Sequence, residues 1–180
     1  MNRSTEPDGP GRPPSAGRAN PLSDPDFRAG LRPIPSGPAE ASERLRAADI
    51  VGLRPSGDRI ELAIGQLEGP VLLCFLHVRC DGCEEFWRGL KDAGPGGVPV
   101  GVSAVAVTKG AGSVDPIEVD RAASGVSRVP VVMSDLAWVD YRVSGYPFFV
   151  LVDPSAGVVI GETVGFGWSD VESMIEASLL

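Results

Sequence analysis

Cysteine and histidine are scarce in this chain, basic clusters are missing, and no apolar run is long enough to cross a bilayer. Three cysteines among 180 residues are too few, and odd in number, for the disulfide framework of a small secreted domain. At this length a hydrophobic core suffices without such staples. One histidine leaves little for a multi-histidine metal site. The 16 Lys and Arg are outnumbered by 24 Asp and Glu, a formal net charge of −8. With no basic stretch, binding to nucleic acid or to an anionic membrane surface is excluded, and the acidity serves solubility. No segment reaches the roughly eighteen apolar residues of a membrane-spanning helix. The N-terminus, MNRSTEPDGPGRPPSAGRANPLSDPDF, also lacks the apolar centre of a secretory signal. Taking Met1 as the start, the expectation is a soluble, cytoplasmic protein.

What is present divides in two. Residues 1–40 hold nine of the 17 prolines, with glycine, serine and balanced charge between them and no apolar period. Burial there cannot offset the entropy of ordering, so residues 1–42 are expected to form a disordered tail and 43–180 one folded domain. In the domain ERLRAADIVGL is weakly amphipathic and SGDRIEL reads as a turn into a strand. GPVLLCFLHV (69–78) is a continuous apolar run, as in a strand buried on both faces. CEEFWRGLKDA (83–93) has helical spacing, VPVGVSAVAVT (98–108) is a second buried strand, and SVDPIEVDRAASG (113–125) is an acidic helix ending at Gly125. VPVVMSD (129–135) is a third strand and LAWVDYRV (136–143) one or two helical turns. PFFVLVD and VVIGETVGF are joined by PSAG as a hairpin, and SDVESMIEASLL closes the chain as a helix. Ser169 and Glu172 stand at capping-box spacing at its start. Strands and helices in alternation, then a hairpin and a helix, specify an α/β domain with a mixed sheet.

The chemistry concentrates in LHVRCDGCEEFW (76–87). A pair such as Cys80 and Cys83 can be a redox couple, half of a metal site or two buried thiols. Its place decides between them. At a strand–helix junction Cys80 falls at or beside the N-cap, where free N–H groups and the helix dipole stabilise a thiolate. Cys83, one turn in and less exposed, is near enough to close a disulfide, so the pair can run thiol–disulfide exchange. A metal reading gathers Cys74, His77, Cys80 and Cys83, which fall at three-residue intervals. In a strand, positions three apart point to opposite faces, so Cys74 and His77 cannot both turn to one ion. No metal is expected.

The order VLLCFLHVRCDGC, helix, SAVAVT, VPVVMSD, YRVSGYPFFVLVDPSAGVVIGETVG, helix resembles the thioredoxin superfamily, and within it the TlpA, ResA and MauD branch of thiol–disulfide oxidoreductases. The likeness covers roughly residues 45–180 and rests on Phe75, Cys80, Cys83, Tyr141, Val143, Gly145, Pro147, Asp153 and Gly157. It implies a thioredoxin-like fold, with Pro147 in cis beside the cysteines and the backbone around Tyr146 receiving a substrate's extended chain. It also implies an enzyme without a small-molecule cofactor. Its partners are protein disulfides or dithiols and a redox partner protein, with Cys80 attacking and Cys83 resolving. The branch mostly works outside the cytoplasm, in tension with the N-terminus.

Some residues depart from the family pattern. Arg79 stands where tryptophan is usual, and Asp81-Gly82 where proline is common. Arg79 favours the Cys80 thiolate, whereas Asp81, Glu84 and Glu85 oppose it by like charge; the neighbours tune the pair, and if repulsion wins it lies toward the reducing end. Cys74 reads as a small buried core thiol, with a third redox thiol as the sharper alternative. His77 reads as a packing residue close enough to the pair to tune it, and Asp115, Glu118 and Asp120 as a solvated face. Two competing functions stand beside the oxidoreductase. One is a thioredoxin-fold binding or assembly module with little turnover, the other a metallochaperone.

Overall fold

The structure is a computed structural model that describes residues 36–38, 45–91 and 97–180. The remainder of the expected tail, residues 1–35 and 39–42, lies outside the described residues, as does the end of the 83–93 segment.

Among the described residues eight strands form one mixed sheet: β1 Ser36–Pro38, β2 Ile50–Leu53, β3 Arg59–Leu62, β4 Val71–Phe75, β5 Ser103–Thr108, β6 Val131–Met133, β7 Phe148–Asp153 and β8 Val158–Val164. Their spatial order is β1-β8-β7-β4-β5-β6-β2-β3. β4 pairs in parallel with β5, and β5 with β6. β7 lies antiparallel between β4 and β8. Four α-helices among the described residues cover the sheet: α1 Asp81–Gly89, α2 Pro116–Ala122, α3 Asp135–Asp140 and α4 Trp168–Leu179.

The apolar run behaves as a central strand should. All five residues of β4 are buried, and they alternate between two cores. Leu72 and Cys74 join Phe86, Trp87, Trp168 and Met174 on the side of α1 and α4. Val71, Leu73 and Phe75 join Ile50, Trp138 and Tyr141 on the other. A strand with both faces covered has no solvent side, hence no polar alternation.

Several segments differ from their expected form. The run 98–102 does not belong to β5; Gly101 takes φ +84° and Val100 is fully exposed, a turn that delays the start of the strand to Ser103. Helix α2 stops at Ala122, with Gly125 three residues on at φ +88°, a conformation that suits glycine. Helix α4 starts at Trp168 with Gly167 as its cap, and Ser169 makes no cap bond. The Asp170 carboxylate accepts instead from the Phe166 N–H at 2.8 Å. Two strands have no counterpart in the expected elements. β2 pairs with β3 and, at Leu53, with Met133 of β6. Ser36–Pro38, inside the stretch assigned to the tail, pairs with Gly161–Thr163.

Helix α3 aims the chain toward the cysteine pair. It ends in a Schellman motif: Arg142 N–H donates to Val139 O at 3.0 Å and Val143 N–H to Trp138 O at 2.9 Å. Arg142 holds φ +55°, where glycine is usual. The preceding Tyr141 is buried; its hydroxyl donates to Ala48 O at 2.6 Å and accepts from Ala48 N–H at 3.1 Å. Burial pushes the phenol up to about 12. Tyr141→Phe strips both bonds from a backbone 93 residues away and should lower the unfolding free energy by about 1–2 kcal/mol, read from denaturant midpoints.

Candidate active site

Cys80 ends the loop after β4 and caps α1, with extended backbone at φ −138° and ψ 111°. It is half-buried, while Cys83 is wholly buried. The two are joined as a disulfide with Cα atoms 5.2 Å apart, inside the usual range. Cys83 N–H donates to Cys80 O at 2.9 Å, closing the first turn. The outer sulfur thus sits at the positive end of a nine-residue helix and the inner one faces the core.

The Tyr146–Pro147 peptide is cis, and the loop it belongs to lies against the Cys80–Cys83 turn. A Cβ placed on Gly82 would stand 3.8 Å from Pro147 Cδ and 4.0 Å from Cys80 Sγ. Tyr146 is 45% exposed and stacks on His77, with centroids 4.6 Å apart and planes at 13°. A third segment closes in from β8. At Gly165 a Cβ would stand 2.8 Å from both Phe86 and Phe149, so no side chain fits there. The next residue, Phe166, is exposed. Nothing in the sequence singled it out.

Charge around Cys80 is arranged differently from the expected contest of neighbours. Arg79 is tied to Glu118 of α2 by two hydrogen bonds, Nε at 3.0 Å and Nη2 at 2.7 Å. Glu118 holds the guanidinium above its ordinary range, and Arg79 holds the Glu118 carboxyl below its own. Arg79 is exposed and Glu118 partly so, and such a pair contributes little to stability, but it engages the cation that precedes Cys80 in sequence. Asp81, Glu84 and Glu85 are exposed. Glu84 meets Arg88 at 3.5 Å. Glu118 is therefore a partner of the site rather than part of a solvated face, and Asp115 caps α2 by accepting from Ile117 N–H at 2.9 Å. Only the contact across 39 residues reveals Glu118. A groove of about 430 Å³ runs beside Cys80 between α1 and α2, bounded by Arg79, Asp81, Trp87 and Glu118.

Cys74 is a free, fully buried thiol whose titration burial pushes far up. It shares the α1-side core with Cys83. The oxidised protein should therefore show no thiol to an alkylating reagent until it is unfolded, when one appears by mass. Among the described residues no three His, Cys, Asp or Glu side chains gather into a metal-binding set. Nor is any helix among them long and apolar enough to cross a membrane.

The architecture is shared with known structures. A thiol:disulfide interchange protein of the thioredoxin family from Chlorobium tepidum TLS superposes with a TM-score of 0.55 at 17% identity, over 79% of this chain and 100% of that one. A secreted Mycobacterium tuberculosis disulfide oxidoreductase, homologous to E. coli DsbE, gives 0.53 at 19% identity, over 73% and 96%. A thiol:disulfide interchange protein from Bacteroides sp. gives 0.51 at 17%, over 74% and 87%. No family model and no curated protein sequence matches the chain. The fold is thioredoxin-like, an α/β mixed sheet flanked by helices. It carries a disulfide-linked Cys-Asp-Gly-Cys turn at the start of its first helix.

Proposed function

We propose that the protein is a thiol–disulfide oxidoreductase acting on protein disulfides or dithiols through Cys80 and Cys83. One observation carries the reading: a half-exposed cysteine at a helix N-terminus, disulfide-linked to a buried cysteine one turn in, with Pro147 beside it. In the reduced protein the Cys80 thiolate attacks one sulfur of a substrate disulfide. That S–S bond breaks, a Cys80–substrate disulfide forms, and one substrate thiolate leaves. Cys83 gives up its proton and attacks Cys80 Sγ, the mixed disulfide breaks, and the second thiolate departs. The two thiolates take up two protons. Two electrons have passed to the substrate and the Cys80–Cys83 disulfide is left, to be reduced by a redox partner protein. The same steps reversed oxidise a dithiol.

The backbone at Tyr146–Pro147 would hold the substrate as an added strand. Arg79 and Asp81 tune the pair, Arg79 with its charge shared with Glu118. The pattern of named neighbours supports this chemistry, and one of them is described as secreted. The cytoplasmic expectation makes this protein a reductant, whereas an oxidising compartment would favour exchange or oxidation. The deciding assay is dithiothreitol-driven reduction of insulin. Acceleration by catalytic amounts supports the reading. Binding of insulin with no acceleration would favour a binding module instead.

A further inference from the structure

We infer that His77 is a positioning residue that latches the two sides of the redox site together. The inference rests on the oxidoreductase reading. Two segments must be in register for exchange: the loop delivering Cys80, and the loop delivering Tyr146 and Pro147. His77 touches both through one ring. Its Nδ1 accepts the backbone N–H of Arg79, the residue before Cys80, at 3.0 Å. Its face stacks on Tyr146, the residue before Pro147, at 4.6 Å and 13°. Its carbonyl accepts from Trp87 Nε1 of α1 at 3.4 Å, which anchors the latch to the helix that Cys80 caps. Tyr146 also makes a T-shaped contact with Trp138, at 6.2 Å and 80°.

The two contacts ask for different chemistry, and histidine alone supplies both. Accepting the Arg79 N–H needs a lone pair on the second atom from Cβ, which asparagine also offers and phenylalanine does not. Covering Tyr146 needs a flat ring, which phenylalanine offers and asparagine does not. With Nδ1 accepting, the neutral ring carries its proton on Nε2. The acceptor half fixes where the Cys80 sulfur stands for in-line attack. The stacking half fixes the strand-like edge on which a polypeptide would dock.

The two substitutions should therefore damage different steps. His77→Phe keeps the ring and loses the acceptor, so the rate of reduced protein with hydroxyethyl disulfide should fall about five-fold, the equivalent of one hydrogen bond. Its KM for insulin should change less. His77→Asn keeps the acceptor and loses the ring, so KM for insulin should rise about five-fold, more than its rate with hydroxyethyl disulfide falls. This inversion is what a merely structural role would not produce. Equal patterns from the two variants, or wild-type values from both, overturn the latch. Should His77→Phe fail to fold, His77→Asn decides alone, and an unchanged KM overturns it. Wild-type protein inert toward both substrates would instead remove the redox reading on which the latch stands.

Discussion

Cys80→Ser is expected to reduce insulin reduction to the rate of dithiothreitol alone. Serine is nearly isosteric and is a favoured N-cap residue, so the substitution keeps the helix start that Cys80 provides. Losing so short a cross-link costs about 2 kcal/mol at most by loop entropy, and a domain with two buried cores should absorb that. What disappears is the proposed nucleophile. A serine hydroxyl is not ionised at neutral pH by a helix terminus alone, and a C–O–S linkage is not an intermediate in disulfide exchange. Cys83 cannot take over because it has no exposed surface. The measurement is insulin turbidity beside a thermal melt. A folded variant retaining a substantial part of wild-type turnover would remove Cys80 from the mechanism.

The parts of this molecule that were legible in the sequence are those written in local spacing. The Cys80–Cys83 interval, the apolar run of β4 and the helical period of α1 each lie within a dozen residues, where one pattern has one good physical solution. The β7–β8 hairpin is similar: Asp153 Oδ1 accepts from the Ser155 and Ala156 N–H groups at 2.9 and 3.2 Å, and Gly157 takes φ +65°. What was hidden depends on distant partners. β2 is four residues long and contains Gly52, so its own propensity is weak. Its strand character comes from pairing with β3 and β6. Ser36–Pro38 owes its pairing to β8, more than 120 residues on. The same holds in the site. Along the chain Arg79 stands among Asp81, Glu84 and Glu85, yet its ion-pair partner Glu118 comes from α2. For His77 the neighbouring residues suggest only packing, because its stacking partner Tyr146 comes from the far loop. Sequence adjacency shows which charges are neighbours along the chain but cannot say which of them are spent on one another.

The separation of roles proposed for the two cysteines makes Cys83→Ser the more informative variant. Cys83 is fully buried in the α1-side core, so a substrate sulfur cannot reach it. In the proposed exchange its route into the reaction is attack on Cys80 Sγ from one helical turn away. Without it the first displacement proceeds and the second does not, so Cys83→Ser should accumulate a one-to-one mixed disulfide at Cys80. The adduct should survive dilution, run as a shifted band without reductant and vanish with dithiothreitol. Multiple-turnover reduction should fall by at least about a hundredfold, leaving direct cleavage of the adduct by dithiothreitol. Cys74 is the one remaining thiol that could rescue the second step. It lies in the middle of β4 pairing, opposite Ala106 on one side and Phe149 on the other. Burial also keeps it protonated, so it lacks both access and the thiolate form. Adding Cys74→Ser to Cys83→Ser should therefore leave the adduct yield unchanged. A yield that rises on that addition would show Cys74 resolving the adduct. A yield equal to that of Cys80→Ser would mean that Cys80 captures nothing.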